Sequence, residues 1–237
     1  MKVLLIADVH ANLAALRALP KADAIVCAGD VVGFGPEAGA VIDELIRLGA
    51  HCVRGEEDDA VARAAAKHLA PPALVHAAAE LRERTRAGLT PAQMRWLRAL
   101  PPELELTFDG FRVGVLHAYP GDYTRYVAPS DEELMRITRA FPRCNIIVVG
   151  HTHRRGTWKA RALVVNPGSV GMPQRAGYAS YAIMETGKIR FGSSRFDASQ
   201  TLRQLSDLEV SAEAYREYEQ ELTRGSTRPF QRLARVG

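Results

Sequence analysis

Short, unbroken runs of apolar residues recur along the chain, and each of them leads directly into polar residues. Four such runs occupy residues 3–6, 24–27, 113–116 and 146–149. Apolar runs of this length, without alternating polar positions, are typical of strands that are buried on both faces of a sheet. The pattern therefore predicts buried strands whose carboxyl ends carry polar side chains.

Between and after these runs, apolar residues recur at helical spacing, and cap and turn residues mark the ends of elements. Thr90-Pro91 combines a helix cap with proline at the first helical position, and Asp109-Gly110 favours a tight hairpin. We predict helices at about 11–19, 36–48, 58–68, 75–87, 91–99 and 131–140. We predict further strands at about 103–108, 111–117, 145–149, 162–166, 179–185 and 188–196, followed by a polar helical segment after residue 197.

Composition and length predict one compact α/β unit. The chain has 237 residues, of which 47% are apolar, so it can bury a substantial core. Its net charge of +4 is too small to indicate a nucleic-acid-binding protein, and nucleic acid is expected as a substrate only. The longest apolar run, residues 3–7, is too short for a membrane span and leads into Asp8, which argues against a signal peptide or an anchor. We therefore expect a cytoplasmic protein.

The cysteines and the clustered charges are predicted to have no chemical role. The three cysteines are odd in number and lie in or beside apolar strands, as expected of free thiols in a core. Residues 81–86 mix basic and acidic side chains, which is typical of a solvated helix face. The chain ends in a basic segment that contains Arg224, Arg228, Arg232 and Arg235.

The polar residues at the strand ends are Asp and His, often spaced two apart. They are Asp8 and His10, Asp30, His117, and His151 and His153. Side chains two apart in an extended chain can project the same way, so each pair can bind a common ion. Carboxylate and imidazole ligands suit divalent manganese, iron, nickel or zinc, and the lack of cysteine argues against a structural zinc site. The spacing predicts an open, catalytic metal site.

These motifs resemble, in order, those of the calcineurin-like metallophosphoesterase superfamily, and in particular its small bacterial and archaeal phosphodiesterases. The matching blocks are Asp8-Val9-His10, Gly29-Asp30, His117 and Gly150-His151-Thr152-His153, and the resemblance spans about residues 1–195. Asn166-Pro167-Gly168-Ser169 resembles a family loop that closes over the active site and whose amides could hold a phosphate oxygen.

One block departs from the family pattern. Where the family has Gly-Asn-His-Asp, the chain has Gly55-Glu56-Glu57-Asp58, so Glu replaces both the Asn ligand and the His that protonates the leaving oxygen. Glu56 is then a candidate metal ligand, Glu57 a candidate general acid and Asp58 a candidate that orients its neighbours by hydrogen bonds. The alternative interpretation is an acidic first helical turn that the helix dipole favours.

The resemblance implies an α/β fold, a four-layer αββα sandwich of two mixed β-sheets with a small helical cap at about 70–100. It implies a metallophosphoesterase domain over residues 1–196, followed by a C-terminal helical extension and tail over 197–237. The helices at 75–87 and 91–99 are either a lid that selects substrates or ordinary packing at a sheet edge. The oligomeric state is left open, a homo-oligomer included.

The resemblance also implies two divalent metal ions, with manganese (Mn²⁺) expected first and iron, nickel or zinc as alternatives. By the family pattern, one ion binds Asp8, His10 and His153, the other binds Glu56, His117 and His151, and Asp30 bridges them. The leading hypothesis is a phosphodiesterase or nucleotide phosphohydrolase that uses a metal-activated water. A phosphomonoesterase such as a protein phosphatase is the second hypothesis, and a weakly active, metal-poor scaffold protein is the third.

Overall fold

The chain forms two five-stranded sheets that pack face to face. The computed structural model describes residues 1–63, 70, 72–122 and 130–225. The strands are β1 (Lys2–Ile6), β2 (Ala24–Cys27), β3 (His51–Cys52), β4 (Glu103–Phe108), β5 (Phe111–Leu116), β6 (Ile146–Val148), β7 (Gly156–Lys159), β8 (Leu163–Asn166), β9 (Tyr178–Glu185) and β10 (Lys188–Arg195). The first sheet has the order β10-β9-β1-β2-β3, and the second has the order β4-β5-β6-β8-β7.

Both sheets are mixed, and each has a parallel part. Strands β1, β2 and β3 run parallel to one another, as do β5, β6 and β8. Strands β9, β10, β4 and β7 join them in antiparallel pairs. The carboxyl ends of the parallel strands within each sheet therefore lie at one edge.

Alternate side chains of each buried strand enter two different cores. In β1, Val3 and Leu5 lie between the sheets, whereas Leu4 and Ile6 face the helices that cover the first sheet. Both faces are buried, which explains why the sequence of β1 is apolar without alternation.

Helices cover the outer face of each sheet. They are α1 (Leu13–Arg17), α2 (Ala38–Arg47), α3 (Glu56–Arg63), α4 (Val75–Gly88), α5 (Pro91–Ala99), α6 (Asp131–Ala140), α7 (Ala198–Ser206) and α8 (Ala212–Arg224), with a 3-10 turn at Pro72–Leu74. Leu134 and Ile137 of α6 pack on the second sheet. The other helices share one core with the first sheet. The four-layer αββα arrangement is confirmed.

Cap and turn residues in the sequence correctly predicted where several helices and strands begin or end. Helix α5 begins at Pro91 with Thr90 as its cap and a complete capping box with Gln93. Asp109 and Gly110 have φ values of 48° and 81° and connect β4 to β5, as the hairpin signal predicts. Helix α1 is shorter than predicted, and α3 begins at Glu56, so the acidic first turn is confirmed as the local structure.

The structure adds one strand and corrects one prediction. Strand β7 was not predicted, because it is an edge strand whose side chains are all at least partly exposed. Residues 81–86 are not a solvated face throughout, since Leu81, Arg82 and Thr85 are buried in the packing of α4. The predicted helical residues 64–68 and the basic segment with Arg228, Arg232 and Arg235 lie outside the described residues.

The C-terminal helices pack on earlier helices of the fold. Helix α8 packs on α4, and α7 packs on α1. Tyr218 and Leu222 of α8 lie in the same core as Leu81 of α4. The three cysteines are free and buried, as predicted. Every helix in the described ranges is too short or too polar to cross a membrane.

Candidate metal centre

The strand ends of both sheets bring seven candidate ligands to one place. Asp8 and His10 follow β1, Asp30 follows β2, Glu56 opens α3 just after β3, His117 follows β5, and His151 and His153 follow β6. All seven side chains are buried. Carboxyl ends of parallel strands are the usual location of ligand sites in α/β folds.

The first group consists of Asp8, His10 and His153, whose ligand atoms lie within 4.8 Å of one another. The two imidazoles face each other, with 2.9 Å between their Nε2 atoms. Burial lowers the pKa of His10 and lowers that of His153 further, and burial raises the pKa of Asp8 well above its ordinary value. Neutral imidazoles with facing nitrogens are suited to bind a common cation.

The second group consists of Glu56, His117 and His151, also within 4.8 Å. The Glu56 carboxylate spans both imidazoles: Oε2 is 2.6 Å from Nε2 of His117, and Oε1 is 2.7 Å from Nδ1 of His151. Burial opposes ionisation of Glu56, but the two imidazoles hold its pKa well below the usual range. Burial likewise opposes protonation of His117, whose pKa the carboxylates nevertheless raise well above its ordinary value.

Asp30 lies between the two groups. Its Oδ2 atom is 3.9 Å from Nε2 of His10 and 3.5 Å from Nε2 of His117. Its Oδ1 atom accepts a hydrogen bond of 2.9 Å from the Glu57 amide, which fixes the carboxylate. One oxygen atom is thus shared by both groups, as a bridging ligand requires.

The donors fit divalent cations. The Oδ2 atom of Asp8 is buried without a hydrogen-bond partner among the described residues. Oε2 of Glu56 and Nε2 of His117 are also buried, and they lie close together without the geometry of a hydrogen bond. Five buried carboxyl groups surround the site: Asp8, Asp30, Glu56, Glu57 and Asp58. Arg82 is the only buried Arg or Lys side chain in the described ranges. Carboxyl groups buried in such excess either take up protons or bind cations, so the site favours a bound cation.

Backbone carbonyl groups orient two of the imidazoles. Nδ1 of His117 is 2.6 Å from the Ala28 carbonyl oxygen, and Nδ1 of His153 is 3.2 Å from that of Met172. Because a carbonyl oxygen only accepts, each Nδ1 carries the proton and donates. With Nδ1 protonated, each Nε2 atom faces the centre and is the atom that would bind a cation in place of a proton, which is the usual arrangement of metal-binding histidines.

The backbone is strained where it presents these side chains. Five of the seven residues have a left-handed φ between 46° and 66°, namely Asp8, His10, Asp30, His151 and His153. This region is uncommon for residues other than glycine, and strain of this kind concentrates at functional sites. The neighbouring chain must also come close: a Cβ atom on Gly55 would lie 2.1 Å from Oδ1 of Asp30.

Glu57 is bound to Arg82, an arginine that the sequence motifs did not indicate. The guanidinium of Arg82, on α4, donates to both Glu57 oxygens, with 2.8 Å between Nε and Oε2. Burial raises the pKa of Glu57 to about 7, against the lowering effect of Arg82. Arg82 follows Ala78 by four residues and precedes Thr85 by three, so the three side chains lie on one face of α4. This helical spacing was the one feature of the sequence that could have indicated a buried arginine.

Asp58 connects two loops of the site. Its carboxylate accepts hydrogen bonds of 2.9 Å from the Gly55 amide and 3.0 Å from the Val32 amide. Burial raises the pKa of Asp58 to about 8. These contacts hold the start of α3 against the loop after β2, and therefore hold Glu56 near Asp30.

The loop from Asn166 to Ser169 supports the centre from one side. Asn166 donates to the Gly150 carbonyl at 2.7 Å, and Ser169 donates to the Asp8 carbonyl at 2.8 Å. The Gly168 amide donates to the Asn166 side chain at 2.9 Å, and the expectation that the loop amides hold a phosphate oxygen stays a prediction. Through these bonds, residues 166–169 hold the backbone at Asp8 and the backbone just before His151 in place.

Together, this fold and these donors are those of a metallophosphoesterase, an enzyme that hydrolyses phosphoric esters. The family model for the calcineurin-like phosphoesterase superfamily domain matches residues 1–188, and the chain belongs to this family. The family uses divalent metal ions.

Solved structures show the same fold. A metallophosphoesterase from Sphaerobacter thermophilus is 23% identical, with a TM-score of 0.71, covering 93% of this chain and 100% of its own. A hypothetical protein from Pyrococcus horikoshii OT3 is 18% identical, with a TM-score of 0.79, covering 94% of this chain and 98% of its own. No curated protein sequence matches the chain.

Proposed function

We propose that the chain is a phosphodiesterase or nucleotide phosphohydrolase that uses two divalent metal ions. The observation that carries the proposal is the pair of buried ligand groups that share Asp30. One group of three protein ligands would hold one ion, and two groups around a common carboxylate would hold two.

In this proposal, Asp8, His10 and His153 hold the first ion, and Glu56, His117 and His151 hold the second. Asp30 binds both. When bound, such ions activate a water molecule and stabilise the charge that develops on phosphate during in-line displacement. The protein keeps the ligands fixed, because their side chains are buried and their backbone is held by hydrogen bonds.

Glu57 and Asp58 act by positioning in this proposal. Proton transfer from Glu57 would have to break its bonds to Arg82, so we assign to Glu57 the role of holding that guanidinium beside the centre. Asp58 holds the start of α3 in place. Leaving groups that depart without a proton should therefore react best, and alkyl monoesters should be poor substrates.

Manganese is the proposed metal, and the cytoplasm the proposed compartment. Glu56 adds a third carboxylate to the donor set, and carboxylates favour manganese over softer first-row metals. Three free, buried cysteines agree with a reducing compartment, where disulfides are rare.

A substrate panel tests the proposal. The full chain, loaded in turn with Mn²⁺, Fe²⁺, Ni²⁺ or Zn²⁺, is assayed with bis(p-nitrophenyl) phosphate, p-nitrophenyl phosphate, an alkyl monoester and a dinucleoside polyphosphate. We expect metal-dependent hydrolysis of the diester or the dinucleotide, highest with Mn²⁺, and its loss in Asp30→Ala. Faster hydrolysis of the monoesters would instead indicate a phosphomonoesterase. Folded protein that retains little metal and hydrolyses none of these substrates would support the scaffold hypothesis.

A further inference from the structure

A cavity of about 260 Å³ lies beside the first ligand group. His153 lines it directly, so the cavity adjoins the atoms that we assign to the first ion. Its other walls include Arg155, Gln174, Arg175 and Tyr178. None of the proposed roles above uses these residues.

The cavity carries positive charge that the described structure does not offset. Both Arg155 and Arg175 are exposed, and neither forms an ion pair with a described residue. No lining residue is acidic. This contrasts with the adjoining centre, where buried carboxylates predominate. Two guanidinium groups in a concave site attract anions and bind phosphate oxygens by charge-assisted hydrogen bonds.

The walls are built on the loop that orients His153. Nδ1 of His153 is held by the Met172 carbonyl, and the chain continues from there to Arg175. The guanidinium carbon of Arg175 lies 3.6 Å from the ring centroid of Tyr178, and the Tyr178 amide donates to the Arg175 carbonyl at 3.1 Å. The cation–π contact and the turn restrict where the Arg175 side chain can lie.

We propose that this cavity is a subsite for a second phosphate group, next to the one that reacts, so that the substrates are nucleoside polyphosphates or dinucleoside polyphosphates. The proposal rests on the proposed function for the position of the reacting phosphate. A cavity of this volume accepts a compact group such as one phosphate, and is smaller than the sites that enclose whole drug-sized ligands.

The chemistry agrees with the position of Glu57. Hydrolysis forms a bond from a water oxygen to the reacting phosphorus and breaks the bond to the oxygen that bridges the two phosphates. The electron pair stays on the bridging oxygen, and the water loses one proton to solvent. The departing phosphate needs no protonation, since it is ionised at neutral pH. Arg155 and Arg175 would stabilise this anion where the family's general acid is missing.

Binding of two nucleotides tests the subsite. Fluorescent N-methylanthraniloyl derivatives of AMP and of α,β-methylene ADP, whose methylene bridge cannot be hydrolysed, are titrated with the full chain in excess Mn²⁺, and anisotropy gives both dissociation constants. We expect wild type to bind the ADP derivative about tenfold more tightly, the effect of one charge-assisted phosphate contact. Arg155→Ala and Arg175→Ala should each reduce this ratio. Arg154→Ala, which removes an exposed charge outside the cavity lining, should keep both the ratio and the turnover of bis(p-nitrophenyl) phosphate.

Three results would overturn the subsite: equal affinity of wild type for the two nucleotides, an unchanged ratio in both cavity variants, or an equal loss in Arg154→Ala. Much stronger competition by a short oligothymidylate than by ADP would overturn the assignment to small nucleotides in favour of a nucleic-acid strand. An arginine-dependent ADP preference in a protein that cleaves neither the diester nor the dinucleoside polyphosphate would support the subsite and contradict the proposed function. Diester cleavage without that preference would do the reverse.

Discussion

Glu56 stands where the family has an asparagine ligand, and the structure shows what the longer side chain contacts. Each of its carboxylate oxygens faces a different histidine, His117 or His151. An asparagine is one methylene shorter and has only one acceptor oxygen. The side chain therefore has the length and the two oxygens that this site uses, and we interpret it as an adapted ligand.

We predict that Glu56→Asn weakens binding of one ion. The loss should be at least the roughly 10–100-fold that removal of an outer partner of a metal ligand costs. Isothermal titration with Mn²⁺ measures it, with turnover of a diester as a second readout. Glu83→Asn, an exposed position on α4, is the matched control. Tighter binding or faster turnover in Glu56→Asn would show that the extra carboxylate charge weakens the site.

The Glu57–Arg82 pair gives a second prediction at the residue scale. Both partners are buried, so removing the charge of one leaves the other as a buried charge without an opposite charge beside it. Glu57→Gln and Arg82→Met should each lower the free energy of unfolding by about 3–5 kcal/mol. The double variant should lose clearly less than the sum, because no buried charge is then left unpaired.

Urea unfolding of the four proteins gives this double-mutant cycle. Glu83→Gln and Arg84→Met, on exposed neighbouring positions, supply the control cycle and should be nearly neutral. Additive losses at Glu57 and Arg82 would contradict the ion pair as the structure describes it.

Six of the seven candidate ligand positions could be predicted from the residues themselves, because each follows a buried strand whose apolar run is visible locally. Glu56 was a candidate only through the family pattern, since the strand before it consists of His51 and Cys52 alone. Arg82 could not be predicted in the same way. Its partner Glu57 is 25 positions earlier in the chain and on another helix, and the charges around Arg82 are typical of a surface. Only the packing of α4 against α3 brings the two together.

At the scale of elements, α4 is fixed to α8 by polar contacts as well as by the core. Nδ1 of His76 is 2.6 Å from Oε1 of Glu217, whose other oxygen accepts from the Ala77 amide at 2.9 Å. Glu80 accepts from the Ser211 amide at 2.8 Å, at the start of α8. The position of Arg82 thus depends on C-terminal residues, which favours the interpretation of α4 as part of the packed domain over that of a lid.

The His76 contact should make stability depend on pH. The hydrogen bond and charge of Glu217 raise the pKa of His76. The contribution is therefore fully present below the unfolded-state pKa of about 6.5 and is lost as pH rises through the higher folded-state pKa. We predict that His76→Ala lowers the melting temperature more at about pH 5 than at about pH 9.

Thermal unfolding of wild type, His76→Ala and Glu217→Gln at both pH values measures this effect. Glu217→Gln should remove the same pH-dependent part, because it leaves His76 without its carboxylate. The same loss at both pH values in His76→Ala would mean that the contact with Glu217 contributes nothing electrostatic.

Elements with local signals were predictable, and those that depend on tertiary contacts were not. The cap at Thr90 and the hairpin at Asp109-Gly110 are determined by neighbouring residues. Strand β7 is only four residues long, all of them at least partly exposed, and it forms by pairing with β8. The packing of α8 on α4 could not be predicted from the local sequence either, because the contacting residues Glu80 and Ser211 are 131 positions apart.

At the scale of the whole molecule, each ligand group combines residues from both sheets. The first sheet supplies Asp8 and Glu56, and the second supplies His117 and His151. The site therefore exists only when the two sheets are packed face to face, and metal binding should stabilise that packing. The division into a domain at 1–196 and an extension at 197–237 stays a prediction, although α7 and α8 pack on the earlier residues.

The number of metal ions that the chain binds tests the central claim most directly. The measurement is a titration of metal-free, full-length protein with Mn²⁺ by isothermal calorimetry, with elemental analysis of the dialysed complex. Wild type and the control Asp207→Ala, at an exposed carboxylate, should bind two ions per chain, and Asp30→Ala should lose affinity at both sites. Wild type that binds no ion, or a single ion whose affinity Asp30→Ala does not change, would contradict the two-ion centre.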